Sequence, residues 1–477
     1  MSQRGKTINV LRKLSHSELK HFERFLRSPF FNSNKNLIRF YSYLKKFSPD
    51  FNFDHEKAHK FLFPDKKINP VKIRQLLSDL LLKLLDYLSY EGYIKNRLLK
   101  NTILMKELLQ KEEFILLADT FKNSKSHQKK MNVFDSDYYY DNYILETVYI
   151  DFLSSKSGLY HETLEHMKEQ QGQFNKYVVH TLLKLNLDRL IYRHYSDDLQ
   201  LILFDELLSH LRTNDYDDVP IKTYYKLLLM ELNPKDGKFY YDYKKIVLKN
   251  WKYFDRIEAA NLFKALTNYC TIKISKRKNK YISEVFDLYQ IILKNNLYEI
   301  YEGKYLHHID FLKILLYGLN LNKKIWTFNF IQNYKEKLSG KHKDNAYYLG
   351  MSFFCFSERY FEKTLEYLTR VKTIDLVYKV FLKNLLIKTY YELGETELIK
   401  NQIDSFRHFL RKNKKLIEKM LCEKQLVFIK WVSKLLSLKR TGGFLSSLEH
   451  KSLFSSNPDN WLIEKANVFK KGIKPFK

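Results

Sequence analysis

The chain has 477 residues, with 83 Lys and Arg against 54 Asp and Glu, a net charge of +29. Its 45% apolar and 16% aromatic content excludes a disordered chain, and 13 Gly with 8 Pro are too few for the turns of an all-β protein or for glycine-rich nucleotide loops. The length suits two or three domains or one long repeat array.

The opening MSQRGKTINVLRKL lacks the apolar stretch of a signal peptide, and no run approaches 18 apolar residues. The expectation is therefore a cytoplasmic protein without membrane insertion. Cys270, Cys355 and Cys422 are odd in number and far apart, which speaks against a disulfide framework or a cysteine zinc site.

Ser15-His16-Ser17-Glu18 has the form of a capping box, in which the Ser and Glu side chains satisfy each other's backbone N–H groups. Leu19, Phe22, Phe25 and Leu26 follow at helical spacing, and Pro29 ends that helix. Leu37, Phe40, Tyr41 and Leu44 mark a second helix, stopped by Ser48-Pro49. Asn69-Pro70 pairs an N-cap with Pro at the first helical position. It opens a long helix through Ile73, Leu76, Leu77, Leu80, Leu81, Leu84 and Leu88. Residues 1–95 read as an N-terminal helical module.

Beyond it, helices of 12–20 residues are expected between breaks at Asn123–Asn132, Thr213–Pro220, Asn233–Gly237, Ser275–Asn279 and Ser339–Asp344. Strand-like alternation is absent. The expected fold is all-α, with an α-solenoid of antiparallel helix pairs over 96–440 and a basic helical tail over 441–477.

Phe356-Ser357-Glu358-Arg359-Tyr360-Phe361 recurs as Leu393-Gly394-Glu395 after Tyr390-Tyr391, with Ser357 aligned to Gly394 at a step of 37. This resembles tetratricopeptide repeats over about residues 340–412. The alanine of that pattern is Thr364 in one copy and Asn401 in the other. Ile325-Trp326-Thr327-Phe328 looks like the start of another such helix. The chain also resembles an uncharacterised bacterial family through Leu14-Ser15, Glu18-Leu19 and Phe22, then Ser28-Pro29-Phe30-Phe31-Asn32 and Phe63-Pro64-Asp65. That resemblance implies a helical module followed by tetratricopeptide-like repeats, and no activity.

His55-Glu56-Lys57-Ala58-His59 fits the His-Glu-x-x-His of zinc proteases, in which two His one turn apart bind zinc and the Glu is the general base. Asp54, Lys57 and Lys60 crowd it and Pro64 ends the helix, so an exposed face of a short helix is the expectation. His161, Glu162, Glu165 and His166 read as a solvated charged face, as do His307-His308 with Asp310. Gly442-Gly443 reads as an interhelical hinge. With no phosphate-loop motif and no nucleophile elbow, neither an enzyme nor a cofactor is expected.

The charge is uneven. Residues 1–50 carry 11 basic and 3 acidic side chains, and residues 400–477 carry 18 and 6, so these two ends hold +20 of the +29. Only seven alanines accompany the lysines, which also fits an A/T-rich gene. The end-weighting selects Arg12, Lys13, Arg411, Lys412, Lys414, Lys415, Lys439, Arg440, Lys470, Lys471 and Lys474 as polyanion contacts. Tyr240-Tyr241, Tyr347-Tyr348 and Tyr390-Tyr391 fall where repeat helices would end. Tyr347, Tyr348, Tyr390 and Tyr391 are the candidate partner-groove residues.

The expected function is a scaffold for a protein or peptide, docking through its basic ends on a polyanion such as RNA or the ribosome. One alternative is a DNA-binding regulator whose helix-turn-helix-like element spans 52–94, with Lys72, Arg74 and Gln75 facing the groove. The other is a pure protein-interaction scaffold.

Overall fold

The computed structural model describes residues 3–128, 136–156, 158–192, 200–300, 305–372, 375–455 and 460–470. Among these residues are 23 α-helices and no β-strand, with isolated bridges only at Leu306–Leu338 and Leu445–Lys470. None of the described helices is long and apolar enough to cross a membrane. The chain forms two compact units that part between Val178 and Val179.

The first unit holds α1 (Gln3–Lys13), α2 (His16–Arg27), α3 (Lys35–Lys45), α4 (His55–Leu62), α5 (Pro70–Lys95), α6 (Arg97–Gln110), α7 (Phe114–Gln128), α8 (Ser136–Ser154) and the first part of α9 (Tyr160–Tyr192). The capping box at α2 is formed: the Ser15 N–H donates to Glu18 at 2.8 Å and the Glu18 N–H to Ser15 Oγ at 3.2 Å. Leu19, Phe22, Phe25 and Leu26 then face inward. Phe22 is fully buried, with its ring edge-on to Tyr41 at 5.0 Å. Burial of one such ring contributes about 2 kcal/mol.

Asn69 caps α5, which packs against α1, α2, α3 and α4. Its buried side is Ile73, Leu76, Leu77, Leu80, Leu84 and Tyr87. The opposite side is not covered, and Leu82, Leu85 and Leu88 are exposed. Helix α7 continues through the break expected at Asn123, because Phe121, Ser124 and Gln128 keep a buried face to its last residue.

The second unit takes the rest of α9, then α10 (Phe204–Thr213), α11 (Val219–Leu232), α12 (Gly237–Asn250), α13 (Arg256–Ser275), α14 (Lys280–Lys294), α15 (His308–Asn320), α16 (Lys324–Tyr334) and α17 (Lys343–Ser357). There follow α18 (Phe361–Thr369), α19 (Leu376–Leu393), α20 (Thr396–Lys412), α21 (Lys419–Thr441), α22 (Ser447–Ser455) and α23 (Asn460–Val468). Helices adjacent in the chain pack on one another from α11 to α21, and α17 also packs on α15 and α19.

Helices α13, α15, α17, α19 and α21 all stop in the same way. Each is followed by a residue with positive φ: Arg277 (61°), Asn322 (54°), Arg359 (62°), Gly394 (79°) and Gly442 (64°). The next N–H turns back five residues, Lys278 to Lys273, Lys323 to Gly318, Tyr360 to Cys355, Glu395 to Tyr390 and Gly443 to Leu438, at 2.9–3.1 Å. This is the Schellman closure, which satisfies a carbonyl that the helix end leaves open.

Arg359, not Ser357, is therefore the residue equivalent to Gly394, and the step is 35. Two of the tyrosine pairs also sit differently from expectation. Tyr240-Tyr241 and Tyr347-Tyr348 lie near the starts of α12 and α17, and only Tyr390-Tyr391 closes a helix.

Candidate binding surfaces

The basic candidates follow one local rule. Arg12-Lys13, Arg411-Lys412 and Lys439-Arg440 each occupy the last turn of a helix, α1, α20 and α21. Cations there are stabilised by the partial negative charge of the open carbonyls. Arg12 is also committed to the fold, donating to the Asp50 carbonyl at 2.8 Å and to Asn52 at 3.1 Å. Lys414 and Lys415 are exposed in the turn that follows α20.

The 411–415 group lies before α21 and the 439–440 group at its far end. The 23 residues of α21 span about 35 Å, so these are two patches rather than one. Lys470 is brought to the second of them, because the Leu445 N–H donates to the Phe469 carbonyl at 2.9 Å. Lys471 and Lys474 lie outside the described residues.

Of the tyrosines, Tyr391 is buried, edge-on to Trp461 at 5.3 Å, and it carries the Lys439 ammonium 5.6 Å above its ring. A polyanion candidate and a groove candidate thus meet at one packed site. Tyr347 and Tyr348 are half-buried under Lys335 (4.3 Å) and Arg370 (5.9 Å), and Tyr390 is half-buried.

The histidine motifs are solvated in part: Glu56, His161, Glu162, Glu165 and His307 are exposed, as expected, but one histidine of each motif turns inward. His59 is buried, and neither ring nitrogen has a hydrogen-bond partner, while His55 stacks on Phe53 at 5.1 Å. His166 turns inward: its Nδ1 meets Glu146 at 2.7 Å, and Lys125 reaches the other oxygen of the same fully buried carboxylate at 2.7 Å. His308 is buried, contacts Asp375 at 3.2 Å and accepts the Tyr378 hydroxyl on its carbonyl at 2.7 Å. In the sequence these residues looked polar and surface-bound. Their partners lie 20 to 70 positions away, where no local pattern points. No group of three or more His, Cys, Asp or Glu among the described residues is placed to hold a metal ion.

Arg74 and Gln75 are exposed on α5, but residues 94–110 continue into α6, and no hairpin wing follows. A cavity of about 110 Å³ between α13, α14 and α15 is lined by Lys264, Asn268, His307, Asp310 and Lys313. It has room for a few waters only and is well below the usual 300 Å³ of a small-molecule site.

Two open grooves flank α14. One, of about 450 Å³, is lined by Lys249, Trp251, Lys252 and Lys294. The other, of about 710 Å³, is lined by Phe286, Asp287, Lys323, Lys324 and Trp326. Gln290 lines both, and its amide nitrogen has no hydrogen-bond partner. This surface is not legible in the sequence because its charge is spread over the end of α12 and the turn after it, α14, and the start of α16. The available signal was Trp251 beside Lys252 and Trp326 close after Lys323-Lys324.

No protein-family model matches the chain, and neither a curated protein nor a solved structure matches it.

Proposed function

We propose that the protein is a non-enzymatic scaffold. In this reading the second unit is a tetratricopeptide-like α-solenoid of antiparallel helix pairs that binds a protein or peptide partner and docks on a polyanion, RNA or the ribosome. The observation that carries it is the recurrence of one left-handed closure at the ends of α13, α15, α17, α19 and α21. The same closure also ends α14 (Asn296, φ 52°) and, in the first unit, α6 (Glu112, φ 60°); helices that turn back repeatedly on such short ends suit a stack, and stacks present long binding surfaces rather than closed catalytic pockets. The exposed Leu82, Leu85 and Leu88 support a protein contact on the first unit. The three free cysteines, all buried, fit a reducing cytoplasm.

Sedimentation with purified ribosomes tests the polyanion half. The protein should pellet with them at about 50 mM salt and be released by about 500 mM, since each neutralised phosphate adds to the salt dependence. A protein that stays in the supernatant at the lower salt contradicts it.

A further inference from the structure

We propose that the grooves flanking α14 form a single-stranded nucleic acid site, with Lys249, Lys252, Lys294 and Lys323 on the phosphates and Trp251 and Trp326 under the bases. The proposal rests on the scaffold reading above and moves its polyanion contact from the chain ends to the α12–α14–α16 surface.

Three observations converge on it. First, the four lysines are exposed and none of them pairs with a carboxylate of the described residues. Their neighbour Lys324 is instead held by Glu358 at 2.7 Å. Of the groove-lining residues, Asp287 is the one acidic side chain. Unpaired cations gathered on one face repel each other unless an anion lies across them.

Second, the grooves have aromatic walls. Trp251 and Trp326 are half-buried, so each indole is fixed by packing and still keeps surface in its groove. Trp326 is held edge-on to Phe286 at 4.6 Å and stacked on Phe330 at 5.2 Å. Lys252 lies 5.7 Å over the Trp251 ring, and Lys323 lies 5.2 Å over Phe286. A rigid ring beside a mobile ammonium offers a base and its phosphate one contact each.

Third, the two grooves are neighbours, since Gln290 lines both of them. Open grooves on a helix row suit a flexible strand, whereas a duplex would need a broader basic surface or an element entering its major groove.

The test is fluorescence anisotropy with a labelled oligouridine of about 20 nucleotides at about 50 mM salt. The full-length protein should bind it. A variant with Lys249→Gln, Lys252→Gln, Lys294→Gln and Lys323→Gln should bind at least tenfold more weakly. Its slope of log affinity against log salt should fall by roughly 3, at about 0.7 per lost phosphate contact. A second variant, with Arg411, Lys412, Lys414 and Lys415 changed to Gln, should stay within about threefold of wild type. All eight substitutions are on exposed side chains, and matching thermal melts would confirm the fold.

Undiminished binding by the first variant overturns the site while leaving the polyanion reading standing. Wild-type protein that binds no oligouridine at low salt overturns both. Equal affinity for polyglutamate, without quenching of tryptophan fluorescence, overturns the nucleic acid assignment in favour of an acidic protein segment.

Discussion

The His308 ring lies flat on the His342 ring, with centroids 3.9 Å apart and planes 8° from parallel. The two residues stand at the starts of α15 and α17, and Asp375, the N-cap of α19, completes the contact through His308. Three helix starts therefore converge at one point of the second unit. Burial holds both imidazoles below their ordinary pKa. It outweighs the pull of Asp375 on His308, and Lys341 adds to the effect on His342. His180, also in the second unit, is pushed down to about 3 by burial, with Lys184 adding to the effect.

The pH dependence follows. The unfolded chain takes up protons on these histidines near pH 6.5, whereas the folded chain resists them. Stability is therefore complete above about pH 6.5 and is lost as the pH falls below it. For His180 the loss is at most about 1.4 kcal/mol per pH unit. Thermal melts should show a falling Tm between about pH 7 and pH 5, and His180→Phe should flatten the curve. A Tm that is constant over that range in the wild type contradicts the packing.

Glu146 is fully buried between Lys125 and His166. Glu146→Ala leaves two polar groups facing an empty acceptor site. Because Lys125 keeps 29% of its side-chain exposure, the expected cost is about 2–3 kcal/mol, below the range for a wholly buried pair. Glu146→Gln should cost about 1 kcal/mol, since the amide still accepts one hydrogen bond. Urea unfolding measures both, and wild-type stability in Glu146→Ala would contradict the inward arrangement.

The left-handed closures make opposite predictions at equivalent positions. Arg359→Gly should raise stability by about 0.5 kcal/mol, because a side chain at φ 62° is strained and glycine is not. Its ion pair with Glu464 is long, at 3.5 Å, and exposed, and is worth little. Gly394→Ala should lower stability by about 1 kcal/mol for the same reason. Equal effects of one sign in calorimetry would contradict the shared geometry.

These closures also mark the limit of what could be read from the residues. Ser15-Glu18 and Asn69-Pro70 announced their helix starts because the capping chemistry lies within four positions, and Gly394 announced a helix end. Arg277, Asn322 and Arg359 do the same work without the glycine signal, so the step between copies was placed two residues out. The basic end clusters were visible as charge, but their position in the last turns of α1, α20 and α21 appears only with the helix boundaries. His166, His308 and the grooves beside α14 depend on residues from separate helices, and no spacing rule reaches them.

Gly318 sets how closely α15 and α16 approach. A Cβ there would lie 2.4 Å from Thr327 Oγ1 and 3.2 Å from the Trp326 ring. Gly318→Ala should cost about 1–3 kcal/mol and shift tryptophan fluorescence as Trp326 is displaced. Adding Thr327→Ala removes the nearest atom and should recover part of the loss. Full stability in the single variant would mean that the two helices are not so closely packed.

The scaffold reading is tested most directly by affinity capture of the tagged full-length protein from its own cells, with nuclease present throughout. One or a few proteins should be recovered at a fixed ratio to the bait after nucleic acid has been digested. Bait recovered alone, in repeated captures with and without nuclease, would contradict it.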